Sequence, residues 1–405
     1  MRYKIIVIVV AMFLLNGINN LKEIKDLAIV SAIGIDKVDE NSYKVSALII
    51  NPEKSESGGN SSSSSGNLTI YEYTDSSIQE AIRNMILESP RKLYLAHMKL
   101  LIISESVAEN DLESSMDFFV RDDEGSNDFL FVIAKDTKPS EALKVNAAVE
   151  ETPTENIIES IKACSRYIGM TTENELNNSL KCLLEDGEEM AMPSIRVEKS
   201  KEKEDKDVSS ESGSSKNGEG QNQDGQNKEE KEEKVLVETL AYFKGSRFKG
   251  YLSKEDSIAY TMLKNKFRYG IFELNDKDRI VIELIKSKCE MKPRYENGKY
   301  MVDININADA NITEMDKSIS NINSSDIKRY EHLAEEKIYE YINNYIYNCQ
   351  NKYESDLIGY KKLYRKKLNK EFKKIETIFY DNIFKNIKTN INVNINIPND
   401  GGINI

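Results

Sequence analysis

The chain has 405 residues, 39% of them hydrophobic, and a formal net charge of −12. This length suffices for two or three domains with their own cores, and the acidic balance argues against a nucleic-acid-binding protein. Two histidines and four widely spaced cysteines, with no Cys-x-x-Cys pair, argue against a structural zinc site. We expect the cysteines to be free thiols, although the sequence leaves a disulfide between Cys164 and Cys182 open.

Residues 1–18 have the form of a membrane-targeting segment. Arg2 and Lys4 precede an uncharged apolar stretch, Ile5 to Leu15, which is shorter than the roughly 20 residues needed to span a bilayer. No later stretch is long and apolar enough to predict a membrane-spanning helix. The segment ends in the form of a lipoprotein processing box, except that Ile18 stands where a cysteine would carry the lipid. We therefore predict no lipidation at Ile18.

Residues 19–198 alternate between strand and helix patterns, which predicts an N-terminal mixed α/β domain whose helices cover a sheet. Short runs of β-branched and aromatic residues indicate the strands, and apolar residues recurring every three or four positions indicate the helices. The predicted strands are Ala28–Ile35, Tyr43–Ile50, Leu68–Tyr73, Leu93–Ile103, Phe129–Ala134 and Met192–Val197. The predicted helices run from Ser76 to Pro90 and over Leu112–Arg121, Thr154–Ser165 and Glu175–Glu185.

Two stretches lack the apolar residues that a folded segment buries. Ser55–Asn67 contains five consecutive serines, and residues 199–234 have Val208 as their only large apolar side chain. Such a composition does not offset an ordering cost of roughly 1–2 kcal/mol per residue. We predict a mobile loop in the first stretch and a disordered, charged linker between two folded parts in the second.

Residues 235–405 predict a second mixed α/β region. Two strands around Gly245 indicate a hairpin, and Ser253 with Asp256 forms an approximate helix-capping box. The whole chain is thus predicted to be a multi-domain α+β protein of antiparallel-rich mixed sheets covered by helices. The predicted elements are strands Val235–Phe243, Arg247–Leu252, Arg279–Ile285 and Tyr300–Ile306, a helix from Glu255, a helix Tyr330–Cys349, a basic helix after Asp356, and a terminal strand Ile391–Ile397.

The stretch from Tyr360 to Asn390 carries ten Lys and Arg residues against three acidic ones, the reverse of the whole chain's balance. One interpretation is a solvated helix face. The other is a surface that faces anionic lipid headgroups or an acidic partner, where each basic residue contributes on the order of 1 kcal/mol. The residues of this candidate membrane or partner surface are Lys361, Lys362, Arg365, Lys366, Lys367, Lys370, Lys373 and Lys374.

No enzyme motif stands out in the sequence. It contains no Gly-x-Ser-x-Gly elbow, and its glycine pairs lack the Lys-Ser/Thr of a phosphate-binding loop. We interpret His97 as a packed or rim residue of an apolar strand and His332 as a surface residue. Adjacent carboxylates such as Glu188 and Glu189 do not indicate acid–base catalysis, because a chain with 68 acidic residues contains such pairs by chance. We predict a non-enzymatic protein without catalytic, cofactor-binding or metal-binding residues.

Five segments carry a family resemblance. Residues 21–36 run from a Lys-Glu-Ile segment into a strand that ends in Gly-Ile-Asp, and residues 89–103 lead from a Ser-Pro-Arg turn into Leu-Tyr-Leu-Ala-His. Residues 117–122 read Asp-Phe-Phe-Val-Arg-Asp, residues 241–253 contain Phe-Lys-Gly and Gly-Tyr-Leu-Ser, and residues 353–364 contain Ser-Asp-Leu-Ile-Gly. In this order and spacing the segments resemble the Ger(x)C family, the C subunits of bacterial spore germinant receptors.

This resemblance implies a non-enzymatic, exported C subunit of a nutrient germinant receptor. Such a subunit lies on the outer face of the spore inner membrane and works in germination with integral-membrane A and B subunits. A competing hypothesis is an exported solute-binding module whose two domains close on a small molecule. A third, an enzyme of the spore envelope, is disfavoured by the absence of motifs.

The sequence departs from the family pattern at the processing box, where Ile18, Asn19 and Asn20 replace Cys, Trp and Asp. Three explanations stand: the apolar segment stays uncleaved as a weak anchor, another peptidase releases a soluble protein, or partner subunits alone retain the chain. An uncleaved segment held in addition by protein contacts is the most economical hypothesis.

Overall fold

The computed structural model describes residues 27–50, 68–122, 125–147, 149–199, 233–275, 279–315 and 323–398. These residues form two β-sheets with helices packed against them, which confirms the predicted mixed α+β class. The predicted targeting segment, the serine-rich loop and residues 200–232 of the predicted linker lie outside the described residues.

The first sheet contains nine strands in the described part of the chain. They are β1 Leu27–Asp39, β2 Ser42–Ile50, β3 Leu68–Asp75, β4 Lys92–Tyr94, β5 Leu100–Ser104, β6 Leu130–Ala134, β7 Ala191–Lys199, β8 Glu233–Lys244 and β9 Arg247–Tyr251. Their order is β3-β2-β1-β5-β6-β7-β8-β9, with β4 also paired to β1. Parallel strands β1, β5, β6 and β7 form the centre, and antiparallel strands extend the sheet on both sides.

Helices cover both faces of this sheet. Every residue of β5 and β6 is buried, as expected of central parallel strands. One face packs against α1 Ile78–Asn84, α2 Glu105–Asn110, α3 Leu112–Arg121 and α6 Leu176–Leu184, and the other against α4 Pro139–Lys144 and α5 Pro153–Tyr167. The bounds of α3 are those predicted, whereas α2 and α4 were not predicted.

The single strand predicted from Leu93 to Ile103 is wrong, because two short strands, β4 and β5, lie on the same side of β1. The pairs Ala28–Leu93 and Ala32–Leu100 leave three more residues on this segment than on β1. The extra residues form a turn in which the Met98 N–H donates to the Leu95 carbonyl over 3.0 Å. Both side chains are buried, so the largely apolar sequence of this segment does not indicate where the turn lies. His97 lies exposed at this turn.

The strands on either side of residues 200–232 are neighbours in the first sheet. β7 and β8 are antiparallel, with Lys199 opposite Glu233. In β8, Ala241 and Phe243 pack into the core of the first sheet, whereas Leu240 packs into the core of the second. The division into two folded parts at residues 199–234 stays a prediction, and the first sheet contains strands from both sides of it.

The second sheet consists of β10 Tyr269–Asn275, β11 Arg279–Glu296, β12 Lys299–Met315 and β13 Lys388–Asn396, in that order. β10 was not predicted, and β11 and β12, with 18 and 17 residues, are far longer than predicted. The predicted terminal strand is β13, which pairs in parallel with β12. Helices α7 Lys254–Leu263 and α8 Ser324–Asn351 contribute to the core against this sheet. No helix of the described residues is long and apolar enough to cross a membrane.

The basic helix predicted after Asp356 is too short in the structure to carry all eight basic residues. Helix α9 covers Tyr360–Lys367, and after a break at Leu368 (φ −130°, ψ 49°) the one-turn helix α10 covers Asn369–Phe372. Irregular 3₁₀ and π turns follow as far as Asn386. Phe372, Phe379 and Phe384 are buried along this stretch, and their irregular spacing does not suit one face of a single helix.

Candidate functional site

The predicted basic residues divide into two groups in the structure. Lys361, Lys362 and Arg365, on the first turns of α9, point toward acidic residues of the loop between α6 and β7. The other five are exposed. We call the contact of loop Glu185–Glu189 with residues 356–365, together with Lys264, the joint.

Loop Glu185–Glu189 approaches the start of α9 through its backbone. The Lys362 N–H donates to the Gly187 carbonyl over 3.0 Å. Gly187 has φ +140°, and a Cβ placed there would lie 3.2 Å from the Lys362 nitrogen, so a glycine allows this close approach. The loop thereby delivers Asp186 and Glu188 to the basic side chains of α9.

Glu188 lies at the centre of the joint. Its carboxylate accepts from Lys264 Nζ at 2.6 Å and from Lys362 Nζ at 2.9 Å. Burial disfavours the charged form, but the two ammonium groups outweigh burial and lower the pKa of Glu188 to about 2. Glu188 is therefore charged at neutral pH and binds both α9 and Lys264, the residue that follows α7, to the loop of the first sheet.

A second ion pair lies beside the first. Lys361 Nζ lies 2.5 Å from Asp186 Oδ2, and the lysine side chain is only 7% exposed. The same ammonium group lies 4.6 Å from the centre of the Tyr380 ring, a cation–π distance. Arg365 also reaches Asp186, at 3.4 Å. Lys361 is thus part of the protein's interior rather than of an open surface.

Asp356 fixes the start of α9. Its carboxylate accepts the N–H groups of Gly359, Tyr360 and Lys361 at 2.8–2.9 Å, as a helix-capping residue does. Burial raises the pKa of Asp356 to about 6, although these N–H groups favour the charged form. The neighbouring Ser355 hydroxyl donates to the Phe243 carbonyl of β8 over 2.9 Å. The Ser-Asp-Leu-Ile-Gly segment is therefore the turn that attaches α9 to the first sheet.

Lys366, Lys367, Lys370, Lys373 and Lys374 form the lysine surface. All five are exposed, and none has an ion pair with another described residue. These five positions are the part of the predicted surface that stays available to a partner.

A cavity of about 870 Å³ lies on the first sheet, between α1 and α3. Its lining is apolar at Ile78, Ile82, Leu93 and Phe118 and charged at several positions, which include Arg83, Asp117 and Arg121. The solute-binding hypothesis expected a pocket between the two parts, whereas this cavity lies within the first. The sequence did not single it out.

All four cysteines are free thiols, and no group of three or more His, Cys, Asp or Glu side chains is placed to hold a metal ion in the described ranges. His332 lies exposed on α8, 3.5 Å from Glu336, at the surface as predicted.

The fold and the joint define a class of protein in which two sheets are held together by backbone contacts and partly buried ion pairs. Two family models match the chain, one on each side of residues 198–237. The model described as "Spore germination protein N-terminal domain" matches residues 20–197, and "Spore germination B3/GerAC like, C-terminal" matches residues 238–401. The chain therefore belongs to the Ger(x)C family of spore germination proteins, which confirms the resemblance seen in the sequence.

Curated relatives and a solved structure agree with this assignment. The chain is 23% identical to "Spore germination protein KC" of Bacillus subtilis over 75% of this chain and 72% of that protein. It is 22% identical to "Spore germination protein B3" of the same species, over 84% and 82%. The crystal structure of the GerBC protein is similar in fold, with a TM-score of 0.56 and 16% identity over 91% of this chain and 97% of that one.

Proposed function

We propose that this chain is the non-enzymatic C subunit of a nutrient germinant receptor, exported to the outer face of the spore inner membrane and associated there with integral-membrane A and B subunits. The observation that carries the proposal is the match of both family models, in order, across most of the chain. The joint supports a subunit that acts through contacts and through the relative position of its two sheets.

The test is to purify the chain from spore inner membranes through a tag and to identify by mass spectrometry what accompanies it. We expect two polytopic membrane proteins in stoichiometric amounts. A matched purification from a strain that lacks the tag controls for nonspecific recovery. Recovery of the chain alone from the soluble fraction would contradict the receptor-subunit proposal.

Membrane association without a lipidated cysteine is part of this proposal. Because Ile18 cannot carry a thioether-linked lipid, we propose that the apolar stretch 5–15 stays uncleaved and acts with the partner subunits as an anchor. Intact-mass measurement of the native protein should give an unprocessed N-terminus. A mass that begins after residue 16, or that includes diacylglycerol, would contradict the uncleaved anchor.

A second candidate function, solute binding, is favoured by the cavity between α1 and α3. Its volume of about 870 Å³ is in the range of small-molecule sites, and its lining combines apolar and charged side chains. Calorimetric titration of the purified chain with nutrient germinants tests this candidate. Saturable binding that is lost in Phe118→Asp, with the fold intact by circular dichroism, would place solute binding ahead of the receptor-subunit proposal.

A further inference from the structure

The lysine surface has no acidic partner in the described part of the chain. Lys366, Lys367, Lys370, Lys373 and Lys374 occur within nine residues that contain one acidic residue, Glu371. The chain as a whole has a net charge of −12. A concentration of exposed positive charge in an acidic protein creates a local potential that attracts anions to this side of the molecule.

The backbone under the lysine surface is fixed. Leu368 N–H donates to Tyr364 C=O over 2.8 Å, and Phe372 N–H donates to Leu368 C=O over 2.9 Å. Phe372 and Ile375 are buried, with 1% and 7% of their surface exposed, and they hold the intervening turns against the core. The five exposed lysines are therefore carried by an ordered stretch of backbone before any partner binds.

The basic residue best suited to bind a single carboxylate of a protein partner already binds carboxylates within this chain. An arginine binds a carboxylate with a planar pair of N–H groups, whereas lysines are point charges on flexible stems. Arg365 is the only arginine among the eight basic residues, and it is engaged by Asp186 at 3.4 Å and Glu376 at 3.9 Å. What remains exposed is a group of lysines alone, which suits a diffuse, mobile layer of anions more than one defined carboxylate.

We propose that the lysine surface binds the anionic headgroups of a phospholipid bilayer and so orients the C-terminal part against the membrane. The proposal rests on the membrane location proposed above. Ile378, 40% exposed and four residues beyond Lys374, adds an exposed apolar side chain to the same stretch of chain, suited to the headgroup boundary. The joint lies on the preceding turns of α9, so the surface and the joint belong to one continuous segment.

The test uses the full chain and vesicles of phosphatidylcholine with or without phosphatidylglycerol. One variant has all five lysines of the surface replaced by glutamine. A control variant has the same change at five exposed lysines dispersed over the described chain, Lys138, Lys181, Lys249, Lys254 and Lys328. Because both variants lose the same net charge and keep the same N-terminal segment, a difference between them reports the position of the charges.

We expect wild type and control to prefer anionic vesicles, with binding that weakens as salt rises. Each lysine close to an anionic surface contributes about fivefold to the partition coefficient, so the surface variant should bind anionic vesicles at least about 100-fold more weakly than wild type. Circular dichroism and thermal unfolding establish that all three chains are folded. An undiminished preference for anionic vesicles in the surface variant would overturn the proposal.

Purification from spore membranes separates this proposal from the receptor-subunit proposal. If wild type recovers two polytopic proteins but shows no preference for anionic vesicles, the lipid proposal fails and the receptor-subunit proposal stands. If the surface variant keeps its lipid preference but no longer recovers those proteins, the lysines bind a protein partner and the lipid proposal is again overturned. Loss of lipid preference with the partners retained supports both proposals.

Discussion

Glu188 is the residue through which the joint depends on pH. Its pKa is about 2 in the folded chain, against roughly 4.3 for an unperturbed glutamate. A carboxylate whose pKa is lowered on folding stabilises the folded state above the unfolded pKa, and this contribution is lost as the pH falls toward the folded pKa. The relevant window is thus about pH 4.5 down to pH 2.

We expect Glu188→Gln to remove this dependence. Between pH 7 and pH 3, acidification should reduce the free energy of unfolding of wild type by about 2 kcal/mol more than that of the variant, since pH 3 lies about 1.3 units below the unfolded pKa and each pKa unit corresponds to roughly 1.4 kcal/mol. Denaturant unfolding at pH 7, 4.5 and 3 measures this difference. Glu336→Gln, on the exposed face of α8, is the control and should leave the pH dependence of wild type unchanged. Equal slopes in wild type and Glu188→Gln would contradict the role of Glu188.

Gly169, just beyond α5, lies where a helix of the first sheet packs closely against the core of the second sheet. It has φ +72°, and a Cβ there would lie 2.5 Å from the Phe267 ring. Gly298 has a similar φ of +77° but nothing within 4 Å of its would-be Cβ. Each alanine variant should lose about 1 kcal/mol of stability because alanine disfavours a positive φ. Only Gly169→Ala must also displace a buried ring. We expect Gly169→Ala to lower the free energy of unfolding by about 2 kcal/mol more than Gly298→Ala, measured in denaturant; equal losses would contradict this packing.

At the scale of elements, the outer edge of β13 is covered by α8. The Ile395 N–H donates to Glu335 Oε1 over 3.1 Å, and the Ile397 N–H donates to Glu331 Oε1 over 2.9 Å. β13 is the last strand of the second sheet, so these amides have no strand to pair with on this side. Two carboxylates of α8 thus satisfy backbone groups that an edge strand would otherwise offer to another chain.

Replacing Glu331 and Glu335 together by alanine should remove the hydrogen-bond acceptors of the Ile395 and Ile397 N–H groups at this edge. Charge-assisted hydrogen bonds contribute roughly 1.5–3 kcal/mol, so we expect amide exchange at Ile395 and Ile397 to accelerate by at least about tenfold. Hydrogen exchange read by NMR at these two amides measures the effect. Glu340→Ala, farther along α8 on its exposed side, is the control and should leave both amides protected. Unchanged protection in the double variant would show that the carboxylates are not needed to cover the edge.

Local patterns predicted the type of most elements, while their limits depended on tertiary contacts. The alternation in β12 was readable because Val302, Ile304 and Ile306 face the core. The full length of β12 could not be read from the sequence, since the strand continues past this alternating run by pairing with β11 as far as Met315. The two strands between Leu93 and Ile103 could not be told apart because Leu95 and Met98, at the two ends of the turn, are buried apolar residues like those of the strands.

The joint could not be predicted from the sequence for a related reason. Nothing local distinguishes Asp186 and Glu188 among 68 acidic residues, and their partners on α9 lie about 175 positions away, as in the Lys361–Asp186 contact. The one local signal is Gly187 between two acids, which is compatible with many turns. The basic stretch, by contrast, was recognisable from composition, but only the fold separates the lysines engaged in the joint from those that are exposed.

For the whole molecule, the pairing of β7 with β8 determines what happens when the chain is cut between residues 200 and 232. A linker between independent parts would let the two fragments separate. Here the fragments share an antiparallel strand pair from Lys199–Glu233 to Ala191–Tyr242, the ion pairs of Glu188 and the buried side chain of Leu240. Separation would expose the edge of β7 and the charges of the joint to solvent, and would remove apolar surface from both cores.

We therefore expect a chain cut at a protease site engineered between residues 215 and 216 to stay in one piece. Both fragments should elute together in size-exclusion chromatography at the volume of the intact protein and unfold in a single transition. As a control, a second variant adds Lys264→Ala and Lys362→Ala, which remove the partners of Glu188; its fragments should separate at a lower denaturant concentration. Fragments of the first variant that elute separately in buffer would mean that the strand pair and the joint do not bind the two parts together, and that the position of one sheet is free to change without the other.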